Sequence, residues 1–178
     1  VGMLETAQLN WFVEDLFEEL LDFYIIRYCK DLNEVELPEA ILKYQNVPLS
    51  EINLFQVVQD FLQFNLEPEK IYTDLLQMPI SKLKNASQAF LFPPRDEKIL
   101  LVADQSLLGT GKEGFGITAR GLYWKAPFQK SQIVLFSNLI DLRRKEDWIE
   151  INGHFFNAGT SLNVKMLRLL GRLKLWHR

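Results

Sequence analysis

The sequence predicts an α+β fold: a helical half, then a β-rich half closed by a helix. Three observations carry this. Up to about residue 91, apolar residues recur at three- and four-residue spacing, the helical period. Beyond Phe92-Pro93-Pro94 they alternate with other residues or form runs of strand length. From Ser161 the helical period returns. A chain of 178 residues holds one large domain or two small ones. The proline pair removes two backbone donors and resists helix, so the expected boundary separates residues 1–91 from 92–178.

In the first half, residues 6–30 read as a long helix with Thr6 as N-cap. Leu9, Val13, Leu16, Leu20 and Tyr24 form its expected inner stripe, widened by Phe12, Phe17, Leu21, Phe23, Ile25 and Ile26. Glu14, Asp15, Glu18, Glu19 and Asp22 form its acidic face. Pro38 opens a short helix through Tyr44, proline being favoured at the first helical position. Ser50 caps the next, which carries Ile52, Phe55, Val58, Phe61 and Leu62. Pro68 opens another, with Ile71, Leu75 and Leu76 inward, and Pro79 ends it. A last helix covers Ser81 to Phe90, and the short connections predict a bundle of four or five helices.

In the second half, Ile99–Ala103 is a strand-length apolar run. Phe115, Ile117 and Ala119 alternate with Gly116, Thr118 and Arg120, and Leu122 and Trp124 alternate with Tyr123 and Lys125. A two-residue turn at Arg120-Gly121 would set Ile117 opposite Trp124 and put every apolar residue on one face. Further strands are expected at Gln132–Phe136, Trp148–Ile151 and His154–Phe156, the last two joined by the hairpin signal Asn152-Gly153. In the terminal helix Leu162, Met166, Leu169, Leu170 and Leu173 face inward, while Lys165, Arg168 and Arg172 share another face.

Function classes narrow by what the chain lacks. One cysteine, Cys29, allows no intramolecular disulfide. No basic segment leads into an apolar run at the start, and no apolar stretch approaches the roughly 18 residues of a membrane span, so a cytoplasmic location is expected. Gly109-Thr110-Gly111-Lys112-Glu113-Gly114 matches G-x-G-x-x-G, but a strand follows where a dinucleotide site needs a helix N-terminus. A Walker A loop fails too, with Ser106 at its first glycine position and Glu113 at its Ser/Thr position. The histidines, His154 and His177, stand far from Cys29 and form no ligand spacing. Cys29 sits in an apolar helix with no positioned base. The expectation is therefore a binding protein with no catalytic residue, no metal and no cofactor.

Charge supplies the candidate surface. Residues 1–90 hold fifteen acidic and six basic residues, and 91–178 hold eight acidic and fourteen basic, giving −9 and +6. Lys112, Arg143, Arg144, Lys145, Lys165, Arg168 and Arg172 are the candidate binding residues. They would face the acidic half of the same chain, another protein, or anionic lipid headgroups. Nucleic acid is not expected, because no aromatic-interleaved recognition motif accompanies them.

The stretch Leu101–Lys125, with Gly114-Phe115-Gly116-Ile117-Thr118, the turn residue Gly121 and Tyr123-Trp124-Lys125, resembles bacterial pleckstrin-homology-like domains. The resemblance covers residues 95–178. It implies a small barrel or curled sheet capped by a C-terminal helix, and a role in binding phosphoinositides, peptides or proteins. Lipid-binding members cluster basic residues in the first hairpin loop, where this chain offers Lys112 beside Glu113. The expected function is accordingly protein–protein interaction, as an adaptor, regulator or immunity-type protein, with anionic lipid binding as the alternative.

Overall fold

The computed structural model describes residues 2–29, 35–67 and 70–177. The chain divides into two compact units, Val1–Phe61 and Leu62–Arg178.

The first unit opens with α1 (Gly2–Tyr28). This helix begins ahead of Thr6, so Thr6 is an interior residue and not its cap. Two 3₁₀ turns, Glu39–Tyr44 and Leu49–Glu51, each start directly after a proline. α2 (Leu54–Leu62) follows, crossing into the second unit by one residue. Its first turn is capped by Asn53, whose Oδ1 accepts the Gln56 N–H at 3.3 Å, rather than by Ser50.

Glu19 and Asp60 hold this unit together. The Glu19 carbonyl accepts from Gln45 Nε2 at 2.7 Å, and its carboxylate accepts the Asn46 N–H at 2.8 Å. Asp60 on α2 accepts from Tyr44 Oη and pairs with Lys43 Nζ, both at 2.5 Å. Burial, then the Asp60 hydrogen bond, push the Tyr44 hydroxyl above its ordinary pKa. Of the four or five helices expected over residues 1–91, the described residues of this unit hold two α-helices and two 3₁₀ segments of six and three residues, and a third α-helix lies in the second unit.

The second unit begins where the sequence predicted more helix. Pro68 lies outside the described residues. After it comes β1 (Lys70–Tyr72), then a turn that leaves Leu76 96% exposed. α3 (Ile80–Ala89) and Leu91 then cover one face of a five-stranded antiparallel sheet. Its strands run in the order β1, β2 (Ile99–Asp104), β3 (Gly114–Thr118), β4 (Gly121–Lys125) and β5 (Gln132–Leu135). Met78, Ala86, Phe90, Leu91, Val102 and Tyr123 form one core cluster on that face. Gly116 lets Leu91 pack close to the strand, since a Cβ there would lie 2.6 Å from Leu91 Cδ1 and the leucine would have to shift. Pro93-Pro94 therefore sits inside the second unit.

The opposite face of β2–β4 packs Phe115, Ile117, Leu122 and Trp124. A second antiparallel sheet joins β6 (Leu142–Arg144), β7 (Ile149–Ile151) and β8 (His154–Phe156). Phe156 of β8 meets Trp124 and Phe115 edge-on, at centroid distances of 5.7 and 5.5 Å. The Trp124 Nε1–H donates to the Phe155 carbonyl at 2.8 Å. α4 (Thr160–Trp176) buries Leu162, Met166, Leu169, Leu170 and Leu173 completely, as its period predicts.

The β3–β4 register differs from expectation by two residues. Ile117 opposes Leu122, and Phe115 opposes Trp124. Thr118 Oγ1 causes the slip by accepting the Gly121 N–H at 3.0 Å, which makes Ala119-Arg120 the tip of the turn. A two-residue shift preserves the faces, so Trp124 remains core. At Asn152-Gly153 both residues take positive φ, 48° and 82°, the geometry of a type I′ hairpin.

Candidate interaction surface

α1 presents its apolar side to solvent, the reverse of the expected orientation. Leu9, Phe12, Val13, Leu16, Phe17, Leu20, Phe23, Tyr24 and Tyr28 are 41–68% exposed, while Glu19, Asp22 and Ile26 are buried; Trp11, on the other side of the helix, is 46% exposed as well. At about 100° per residue, those nine fall on one arc about 160° wide. The carboxylates of Glu14, Asp15, Glu18, Glu19 and Asp22 all lie about 100° or more from its centre. On the covered side, Glu19 accepts hydrogen bonds from Gln45 and Asn46. With roughly 200 Å² per large side chain, the nine leave roughly 1,000 Å² of connected apolar surface. The largest patch on an ordinary monomer is roughly 300–600 Å². Sequence periodicity revealed this stripe but assigned it to the core.

The seven sequence-derived basic candidates do not form one exposed patch. Arg143 and Arg144 lie on β6, a strand where a loop was expected, with Arg143 opposite Glu150. Arg143 Nε reaches Asp141 at 2.9 Å, and Lys145 Nζ lies 3.8 Å from Glu150 and 6.0 Å from the Trp148 ring. Arg144 is exposed. On α4, Lys165 and Arg172 are each 5% exposed and Arg168 is half-buried. Lys165 Nζ closes on Glu67 Oε1 at 2.5 Å, with both side chains almost sealed from solvent. Arg172 lies 6.0 Å from the Trp176 ring.

Lys112 stands exposed on the β2–β3 loop, which is ordered by Asp104 at the end of β2. Asp104 Oδ1 accepts the Ser106 N–H at 3.1 Å, the Gly111 N–H at 3.2 Å and the Ser106 hydroxyl. Its Oδ2 accepts from Lys82 Nζ of α3 at 2.8 Å. Burial alone would raise the Asp104 pKa, but the hydrogen bonds from Lys82 and Ser106 outweigh it and hold the carboxyl below its ordinary value. Gly111 has φ +75°, and a Cβ there would lie 2.8 Å from the Lys82 carbonyl oxygen. The glycines of the G-x-G-x-x-G run thus serve a tight loop against α3, and β3 follows it. At the tip of this loop Leu107 and Leu108 are 96% and 85% exposed.

Among the described residues, no three His, Cys, Asp or Glu side chains group to hold a metal ion, and no helix is long and apolar enough to cross a membrane. No family model, no curated protein and no solved structure matches the chain.

Proposed function

We propose that the chain is a non-enzymatic protein-binding module of the adaptor, regulator or immunity type, with the outward face of α1 as its contact surface. The observation that carries this reading is the roughly 1,000 Å² apolar arc on α1. Water-exposed apolar area of this size is costly at roughly 25 cal/mol per Å². A partner that covers it recovers that free energy. The second unit supports the reading by its build: two antiparallel sheets in series and a terminal helix suit a pleckstrin-homology-like domain, a fold used for docking. The alternative, anionic lipid binding through the basic half, has less behind it. Lys165, Arg143 and Lys145 already engage carboxylates of this chain.

The test is affinity capture from native lysate with two folded variants. Leu9→Asp/Leu20→Asp should lose the partner protein, and Arg143→Glu/Arg144→Glu should keep it. The reverse pattern, together with vesicle binding abolished by the arginine change, would overturn the reading.

A further inference from the structure

The spacing along the exposed face of α1 is more specific than a generic apolar patch. Leu9, Val13, Leu16, Leu20 and Phe23 follow one another at intervals of four, three, four and three residues. That is the 3.5-residue repeat of a helix–helix seam, with alternating positions that insert between the side chains of a facing helix. Phe12, Phe17 and Tyr24 flank the seam, and all are exposed.

Resting on the reading of this face as a protein-binding surface, we propose that its occupant is α1 of a second copy of the chain, lying antiparallel about a two-fold axis between Leu16 and Leu20. Area, charge and shape each favour this occupant. The roughly 1,000 Å² exposed per copy is of the same order as the roughly 800 Å² that each partner buries in a standard-size interface. The seam between Leu9 and Phe23 carries no charged residue, and Arg27, four residues further along the same arc, is paired with Glu39 at 2.6 Å. A basic or acidic partner therefore gains no charge complement there. Two copies bring no carboxylates face to face, because the acidic residues lie about 100° or more from the centre of the apolar arc. The direction follows from size. One end of the seam holds Leu9 and Val13, the other Phe23 and Tyr24. Parallel pairing would stack small on small and large on large. Antiparallel pairing sets Val13 opposite Phe23 and Leu16 opposite Leu20, which evens the packed volume along the pair. It also sets the two helix dipoles antiparallel, each N-terminus beside the other's C-terminus.

Sedimentation of the intact purified chain over about 1–100 µM tests the occupant. The wild type should run at twice the chain mass. Leu16→Glu/Leu20→Glu should weaken self-association at least 100-fold with an unchanged circular dichroism spectrum, since both side chains are exposed. Direction is read in a Cys29→Ser background, with Val13→Cys and Phe23→Cys chains carrying different tags. Disulfides should form when the two are mixed, and not within either alone. A wild type that stays monomeric at the highest concentration overturns the proposal, as does a dimer untouched by the glutamate pair. Cross-links within the single-variant samples but not the mixture overturn the antiparallel arrangement. A monomeric wild type that still captures a different protein through Leu9 and Leu20 leaves the binding face standing and removes only the second copy as its occupant.

Discussion

Replacing Lys165 by methionine tests the account of the basic half. The Lys165 ammonium and the Glu67 carboxylate are 2.5 Å apart, with side chains 6% and 3% exposed. Methionine fills most of the volume of the lysine stem but leaves Glu67 buried without this cation, with Ser161 Oγ still donating at 3.0 Å. Breaking a buried pair by deleting one member costs about 3–5 kcal/mol, most of it the stranded charge. The double change Lys165→Met/Glu67→Gln removes that charge and should return to within about 1–2 kcal/mol of the wild type. Urea denaturation followed by circular dichroism measures this as a shift in midpoint at constant slope. A Lys165→Met variant destabilised by less than about 1 kcal/mol would refute the argument, because an exposed pair is worth only that much. It would restore Lys165 as a surface cation available to a ligand.

Trp124→Ala should cost about 3–5 kcal/mol, the range for a buried large-to-small aromatic change. Trp124→Phe, which keeps an aromatic ring but loses part of the indole and its bond to the Phe155 carbonyl, should cost about 1–3 kcal/mol. Thermal or urea unfolding checks both. Asp104 has a folded pKa below its ordinary value, so its contribution is complete above about pH 4 and is lost as pH falls through the folded value. An acid titration of stability should therefore be steeper in the wild type than in Asp104→Asn, and parallel curves would contradict this. A fragment of residues 62–178 should unfold cooperatively, whereas one of 92–178 should bind apolar dyes as a molten species. The shorter fragment lacks Met78, Ala86, Phe90 and Leu91, which cover Val102 and Tyr123. Cooperative unfolding of 92–178 would show that those residues are dispensable.

The second unit was the more legible in the sequence, for reasons visible at particular residues. Strand alternation placed Phe115, Ile117, Leu122 and Trp124 on one face, and Asn152-Gly153 fixed its hairpin, because both signals are local. The inner stripe of α4 was equally plain, since five fully buried residues follow the helical period. What was missed depends on contacts distant in sequence. No spacing rule links Lys165 to Glu67, 98 residues away. The β3–β4 register hinged on one threonine hydroxyl. The 70–72 segment is too short to show a period, and its strand character comes from pairing with β2. On α1 the period marked an apolar stripe and an acidic face, but amphipathicity alone does not say which one the protein covers. The bonds from Gln45 and Asn46 to Glu19 lie on the acidic side, the one the protein covers.

The central claim, that the outward face of α1 is a protein-binding surface, is met most directly by site-specific photo-crosslinking of the intact chain in its native cells. A benzophenone side chain would be placed at Leu16 and, separately, at Arg144. A discrete protein adduct is expected from position 16 and none from position 144. A protein adduct only from position 144, or lipid as the sole adduct at position 16, would contradict it.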